Sequence, residues 1–283
     1  MKKVILFSLL AVVAISCRGT EEELRNRLLP IKLTQTSYGN DGFIDEITEY
    51  NLSYNGNHLE KVEDNHDFVQ TFTYQGNRIK SIEGRIKDNS NFLQTVTFEY
   101  DDKGNLTKEL RVEKGIQYSK PYSLFIEYTY TIPQNNMVNI TYNRVERYNG
   151  GQNYYETGTY EYTLNAQQQV IKSVGNYIER KEYPADTIRR SETLEIAYDN
   201  QKSIFKNVTG LNRLSYAEYN INGLLSYPHN IINTREYRDG EYYEDRKREI
   251  IYNEKGYPSE MTDLSKGKYT DYHKDDIFKI EYQ

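Results

Sequence analysis

The sequence predicts an all-β protein: a long antiparallel meander of repeated β-hairpins forming a curved single-layer or partly open, barrel-like sheet. Three observations predict it. A strand–turn–strand unit recurs from about residue 50 to the C-terminus. The chain holds 29 Tyr and 9 Phe but no Trp, and Tyr is a strand former with an apolar body and a polar tip. No helical periodicity of useful length follows residue 30.

The clearest copy of the unit is Phe98-Glu99-Tyr100-Asp101-Asp102-Lys103-Gly104-Asn105-Leu106. Side chains alternate along a strand, so Val96, Phe98 and Tyr100 share one face, while Thr95, Thr97 and Glu99 take the other. Asp and Asn bond their own backbone in a turn and Gly104 supplies positive φ, which ends the strand; Leu106 reopens the alternation.

From the N-terminus, Met1-Lys2-Lys3 is a short basic segment, and Val4 to Ile15 is an apolar run broken only by Ser8. This reads as a signal peptide over residues 1–16, too short for a permanent membrane span. It runs into Ala14-Ile15-Ser16-Cys17, which resembles the lipobox of bacterial lipoproteins, where the Cys is diacylated and the chain is cleaved before it; Ala14 stands where Leu is commoner. Cys17 is the one cysteine in the chain, so an intrachain disulfide is excluded and Cys17 is the expected lipidation site. Residues 17–30 read as a lipid-anchored tether. Its acidic run Glu21-Glu22-Glu23 resembles the surface-export signal of Bacteroidota lipoproteins. Residues 31–283 are the expected repeat-built β domain.

Ile31–Gln35 and Ile44–Tyr54 are the first strand candidates. Tyr54-Asn55-Gly56-Asn57 and Tyr74-Gln75-Gly76-Asn77 mark hairpin turns. Leu124, Ile126, Tyr128, Tyr130 and Ile132 form an apolar face that Pro133 to Asn136 turns back into Val138, Ile140 and Tyr142. Further turns follow at Asn149-Gly150-Gly151, at Asn165 to Gln169 where the unit has lost its Gly, at Tyr219-Asn220-Ile221-Asn222-Gly223, and at Asn253 to Gly256. The anchoring tyrosines Tyr54, Tyr74, Tyr100, Tyr130, Tyr162, Tyr198, Tyr219 and Tyr252 stand 20 to 36 residues apart, so the unit drifts and is no rigid solenoid repeat. Strung together, the hairpins predict roughly 14 to 16 strands, enough that the sheet must curl, close or fold on itself. The least regular stretch, residues 199–235, reads as a longer connection that plugs or caps the sheet.

Asp101 to Leu106 resembles the heart of the YD repeat of RHS-type proteins, Tyr-Asp-x-x-Gly-Asn-Leu, with one extra residue after the Asp. The hairpin repeats, the Tyr198–Lys206 segment and Tyr252-Asn253-Glu254-Lys255-Gly256-Tyr257-Pro258 together resemble a group of Bacteroidota outer-membrane lipoproteins of unknown function. In that group Asn-Pro usually precedes the Phe of the middle segment; here Ser203-Ile204 stands before Phe205. The resemblance implies a curved β sheet and no catalytic residues.

Chemistry is sparse. His58, His66, His229 and His273 form no HExxH or i, i+4 pair, and His66 with Asp64 and Asp67 reads as a solvated loop. Asp101, Asp102 and Asn105 lack the spacing of a calcium loop. There is no G-x-S-x-G, P-loop or G-x-G-x-x-G, so neither an enzyme nor a cofactor is expected. The formal charge of −6 disfavours nucleic acid and anionic lipid as partners. Asp186-Thr187-Ile188 resembles the Asp-Thr-aliphatic O-glycosylation motif of Bacteroidota, which makes Thr187 a candidate acceptor. The expected partners are the membrane, through a lipid on Cys17, and a glycan or an envelope protein. The expected location is the outer membrane, lipid-anchored and open to the cell surface, with a structural or assembly role without small ligand as the alternative and a glycan-active enzyme as the third reading. A membrane-spanning porin is disfavoured by the Glu and Lys on many strand faces.

Overall fold

The computed structural model describes residues 27–39, 41–87, 89–117, 120–134, 136–148, 153–182, 185–217 and 229–283. The leader, Cys17, the acidic run Glu21–Glu23, the turn at Asn149-Gly150-Gly151 and the repeat copy at Tyr219 lie outside the described residues.

Among the described residues, sixteen strands form one antiparallel meander. They are β1 (Pro30–Tyr38), β2 (Ile44–Asn55), β3 (His58–Asp64), β4 (Phe68–Gln75), β5 (Arg78–Ile86), β6 (Asn89–Tyr100), β7 (Leu106–Gln117) and β8 (Lys120–Gln134). The second half comprises β9 (Met137–Tyr148), β10 (Asn153–Leu164), β11 (Val170–Lys181), β12 (Asp186–Tyr198), β13 (Ile231–Arg238), β14 (Glu241–Tyr252), β15 (Pro258–Gly267) and β16 (His273–Tyr282).

The sheet is closed, not partly open. β1 pairs with β16 as well as with β2, setting Leu33 opposite Ile280 and Gln35 opposite Phe278. An open sheet would leave two edges of unpaired N–H and C=O groups, and right-handed twist accumulated over many strands brings those edges round to meet.

The two ends of the barrel differ. The turns of the repeat unit lie at one end, together with both ends of the described chain, where Leu29 and Gln283 exchange backbone hydrogen bonds of 3.5 and 3.0 Å. There the inward positions are apolar: Leu33, Leu52, Leu59, Phe72, Ile79, Val96, Leu106, Val138, Ile140, Met261 and Phe278 belong to one buried cluster. A ring of side chains cannot fill the bore of so wide a barrel. Residues 199–217 do: they leave β12, enter the lumen and bury Ile204, Phe205, Val208, Leu211 and Leu214 in that cluster, the last two in a turn of 3-10 helix (Leu211–Leu214). The expected plug is therefore present within the described part of residues 199–235.

Four of the anchoring tyrosines stitch the repeats together at this end. Tyr54 donates to the Pro30 carbonyl (2.7 Å), Tyr74 to Leu59 (3.1 Å), Tyr100 to Ile79 (2.8 Å) and Tyr198 to Val170 (3.0 Å). Tyr282 does the same to Pro258 (2.8 Å). In each case a Tyr closing an even-numbered strand reaches back to the start of the strand before it. The register shifts at Tyr54, Tyr74, Tyr100 and Tyr198, marking a bulge at the same place in each repeat.

The turns follow two patterns. At Gly56-Asn57 and Gly76-Asn77 only the Gly has positive φ (58° and 59°), so Gly takes the first central position of a two-residue loop and the preceding Asn55 or Gln75 stays in the strand. In the five-residue turns, Asp101, Asn165 and Asn253 each cap the amide four residues on, at 2.8, 3.0 and 3.1 Å. The fourth residue has positive φ in all three: Gly104 at 83°, Gly256 at 76°, and Gln168 at 62° in the copy without Gly.

Candidate functional site: the polar mouth of the barrel

Moving away from the plug, the same inward rows change from apolar to polar. In β7 the inward residues run Leu106, Glu109, Arg111, Glu113; in β9 they run Val138, Ile140, Tyr142, Arg144, Glu146, Tyr148. Alternation dictates the row and its composition dictates the change.

On the β6–β12 side the polar groups form a chain. Glu113 accepts from Gln94 (2.9 Å), Arg111 (3.0 Å) and the Tyr122 hydroxyl (2.5 Å). Burial works to raise the Glu113 carboxyl, but these three donors outweigh it and hold the group below its ordinary value. Glu146 accepts from Arg144 (2.9 Å) and Tyr148 (2.9 Å); Glu156 accepts from Tyr142 and Tyr154, both at 2.6 Å. Further round the wall, burial and the neighbouring Glu236 push the Glu192 carboxyl up.

The tyrosines are positioned by glycines on a neighbouring strand. The ring of Tyr122 covers Gly115, Tyr142 covers Gly158 and Tyr160 covers Gly175; a Cβ on Gly115 would lie 2.7 Å from the Tyr122 ring. Flat on the wall, the rings of Tyr128, Tyr142 and Tyr160 stack in series, with centroids 5.6 and 5.4 Å apart.

On the β13–β1 side lies a cavity of about 490 Å³, lined in part by Gln35, Glu244, Arg246, Arg248, Asp263 and Asp275. Arg248 grips Asp263 through two bonds of 2.6 and 2.7 Å, and Arg246 donates to Glu244 at 2.7 Å. Asp276 accepts from Gln35 (2.9 Å) and Ser37 (2.6 Å); Ser265 donates to Asp275 (2.9 Å) and meets His273 at 3.1 Å. The arrangement offers closely spaced donors and acceptors around open volume. No group of three or more His, Cys, Asp or Glu side chains is placed to hold a metal ion among the described residues.

The outer wall is mixed: Leu93, Phe125, Ile171 and Ile251 stand exposed on it beside polar rows. Its mid-strand rows carry ion pairs such as Lys32–Glu49 (2.9 Å), Lys61–Glu63 (2.7 Å), Lys108–Glu127 (2.6 Å) and Lys247–Glu249 (2.7 Å), with Thr95, Thr97, Thr129 and Thr141 between them. Two Lys neighbours, Lys61 and then Lys87, hold the Glu63 carboxyl down at about 2. A membrane-spanning barrel shows lipid an apolar band about 25 Å tall, and a Lys or Arg at its middle costs about 2–4 kcal/mol.

Thr187, the sequence-predicted glycan acceptor, is exposed on the outer face of β12 near the mouth, opposite Arg180, with its amide bonded to Asp186 at 2.8 Å. The four histidines stand apart: His66 meets Glu46 at 3.1 Å, His229 meets the Gln201 carbonyl at 2.8 Å, His58 stands edge-on to Tyr74, and His273 alone borders the mouth. Sequence reading missed the carboxylate–tyrosine chain of the mouth. Its available signal was the swap from apolar to charged residues midway along the inward row of β7 and β9.

No protein-family model matches the chain, and no curated protein matches it. Among solved structures, the chain is similar to a porin-like protein from Bacteroides vulgatus, with a TM-score of 0.54 and 11% identity over 91% of this chain and 99% of that one. It also aligns with a porin-like protein from Bacteroides uniformis, with a TM-score of 0.37 and 10% identity over 89% and 96% of the two chains. The first likeness is one of fold: a closed, all-β barrel.

Proposed function

We propose that this protein is a lipid-anchored barrel of the outer envelope, tethered through Cys17 with its plugged end toward the membrane, whose open mouth binds a hydroxyl-rich ligand of the glycan class. The observation that carries the reading is the split lumen: apolar and filled at one end, polar and open at the other. A filled base argues against a pore. The ion pairs in the mid-strand rows of the outer wall argue for anchoring at a membrane surface and against spanning it. Residue 27 lies at the plugged end, so a tether from Cys17 leaves the mouth facing away from the bilayer.

The mouth suits sugars. Tyr122, Tyr148 and Tyr154 combine an apolar ring with a hydroxyl bonded to Glu113, Glu146 or Glu156, and carboxylates with guanidinium groups alternate around them. Tyr130, Tyr216 and Tyr257, by contrast, are buried at 3%, 9% and 2% exposure, and these base residues serve packing.

Two measurements test the proposal. Cys17→Ala should move the protein from the membrane fraction to the soluble fraction without detergent; retention in the membrane would overturn anchoring. A glycan-binding screen of the wild type beside Glu113→Gln/Glu156→Gln should show a ligand bound by the first and weakened at least tenfold in the second. Equal binding, or none, would leave the structural role as the better reading.

A further inference from the structure

The plugged end carries a second concavity, a cleft of about 930 Å³ between the turns at Gly56-Asn57 and Gly76-Asn77 and the plug. Five of its lining residues are cationic: Arg27, Arg78, Lys202, Lys206 and Arg213. The neutral polar lining consists largely of amides, among them Asn57, Gln75, Asn77 and Asn207, and among the described residues no carboxylate lines it. In a chain with 42 acidic against 36 basic residues, such a cluster runs against the overall balance.

Arg78 and Lys202 are oriented by ring faces and carbonyls. The Arg78 guanidinium lies 5.7 Å from the Tyr100 ring centroid and donates to the Asp101 carbonyl at 3.4 Å. Lys202 sits 4.6 Å from the Tyr257 ring centroid and donates to the Lys255 carbonyl at 3.0 Å. Ring faces and carbonyls orient a cation without cancelling its charge. Burial, and then the charge of Lys202, pull the Lys206 ammonium below its ordinary value, as expected where like charges are held together.

We propose that this cleft is an anion site for a phosphate group, supplied by the headgroup of an anionic phospholipid or by a soluble phosphate ester. Convergent Arg, Lys and amide donors, with no carboxylate among the described lining residues, suit a tetrahedral oxyanion. The headgroup source rests on the anchoring proposed above: ten residues from Cys17 to Arg27 span at most about 35 Å, which keeps this end of the barrel within reach of the bilayer. The site itself does not depend on the anchor.

The test uses the unacylated chain from Arg18, which contains every strand of the barrel, so a failure of lipidation does not affect it. Its arms are sedimentation with phosphatidylglycerol or phosphatidylcholine vesicles and calorimetric titration with inorganic pyrophosphate. The variants are Lys202→Gln/Lys206→Gln and, as an outer-wall control, Lys108→Gln/Lys247→Gln, each checked for an unchanged melting curve. Sedimentation with the anionic vesicles alone, weakened at least tenfold in the cleft variant and unchanged in the control, supports the headgroup. Pyrophosphate binding lost in the same variant supports a soluble phosphate ester. Absence of both, or equal loss in the two variants, overturns the site.

Discussion

Asp199 and Asn230 make across thirty-one residues the hydrogen bonds that Asp101 and Asn105 make across four. The Asp carboxylate accepts the Asn amide N–H (3.1 against 2.8 Å) and the Asn side-chain amide (3.2 against 2.9 Å). The Asp amide donates to the Asn carbonyl (3.1 against 2.9 Å). The plug is thus an insertion within one turn of the repeat, and its two ends are tied by the bonds of the turn it interrupts. Asp199 also accepts from the Tyr252 hydroxyl and the Gln201 amide.

Removing that tie should loosen the plug before the barrel. Asp199→Ala strands several donors and is expected to cost about 2–3 kcal/mol, the scale of charge-assisted bonds. Limited trypsin digestion should cut at Lys202, Lys206 or Arg213 faster than in the wild type while the β-sheet circular dichroism persists. Cleavage spread evenly over the chain would contradict a plug that opens separately.

Phe205 is 1% exposed at the centre of the cluster that links plug and wall. Phe205→Ala should lower the unfolding free energy in denaturant by about 3–5 kcal/mol. A change under about 1 kcal/mol would mean that the plug contributes little to the core.

The Tyr160 ring occupies the space a Cβ on Gly175 would need, and the other near atoms found there belong to that same ring. Gly175→Ala should therefore destabilise by about 1–3 kcal/mol through overpacking. Adding Tyr160→Ala should recover part of the loss made by Gly175→Ala, a coupling that a double-mutant cycle reads directly. Additive losses would show that the ring can move aside.

Tyr54, Tyr74, Tyr100, Tyr198 and Tyr282 each supply one hydrogen bond to a backbone carbonyl of the strand before. Tyr54→Phe, Tyr100→Phe and Tyr282→Phe should each cost about 0.5–1.5 kcal/mol, with similar values because the geometry repeats. A negligible cost at all three would reduce the ring of tyrosines to simple packing.

Glu192 is expected to give the mouth a pH dependence whose sign follows from its surroundings. Burial, then Glu236, raise its folded carboxyl above the unfolded value, so the folded state holds its proton longer and this group lowers stability as pH rises between the two values. Glu192→Gln should raise the melting temperature at neutral pH, with the gain shrinking as pH falls below the ordinary carboxylate range. An equal gain at acid pH would mean that the charge of Glu192 is not its source.

Much of this barrel was legible in the chain. Alternating residues such as Val96, Phe98 and Tyr100 define the strands, because a pleated strand exposes its two faces by turns. Asp101 to Asn105 marks a turn, because only certain side chains cap the backbone and tolerate its left-handed position. These are local effects, and local sequence determines them; even the irregular stretch after Tyr198 was visible as an interruption. Tertiary structure alone decided three things. β1 meets β16 because twist accumulates over the whole sheet. Asp199 finds Asn230 because the plug returns to its own starting point. Glu113, Tyr122, Glu146 and Glu156 converge on one mouth because closure brings separate strands round a common axis, a relation that no spacing along the chain encodes.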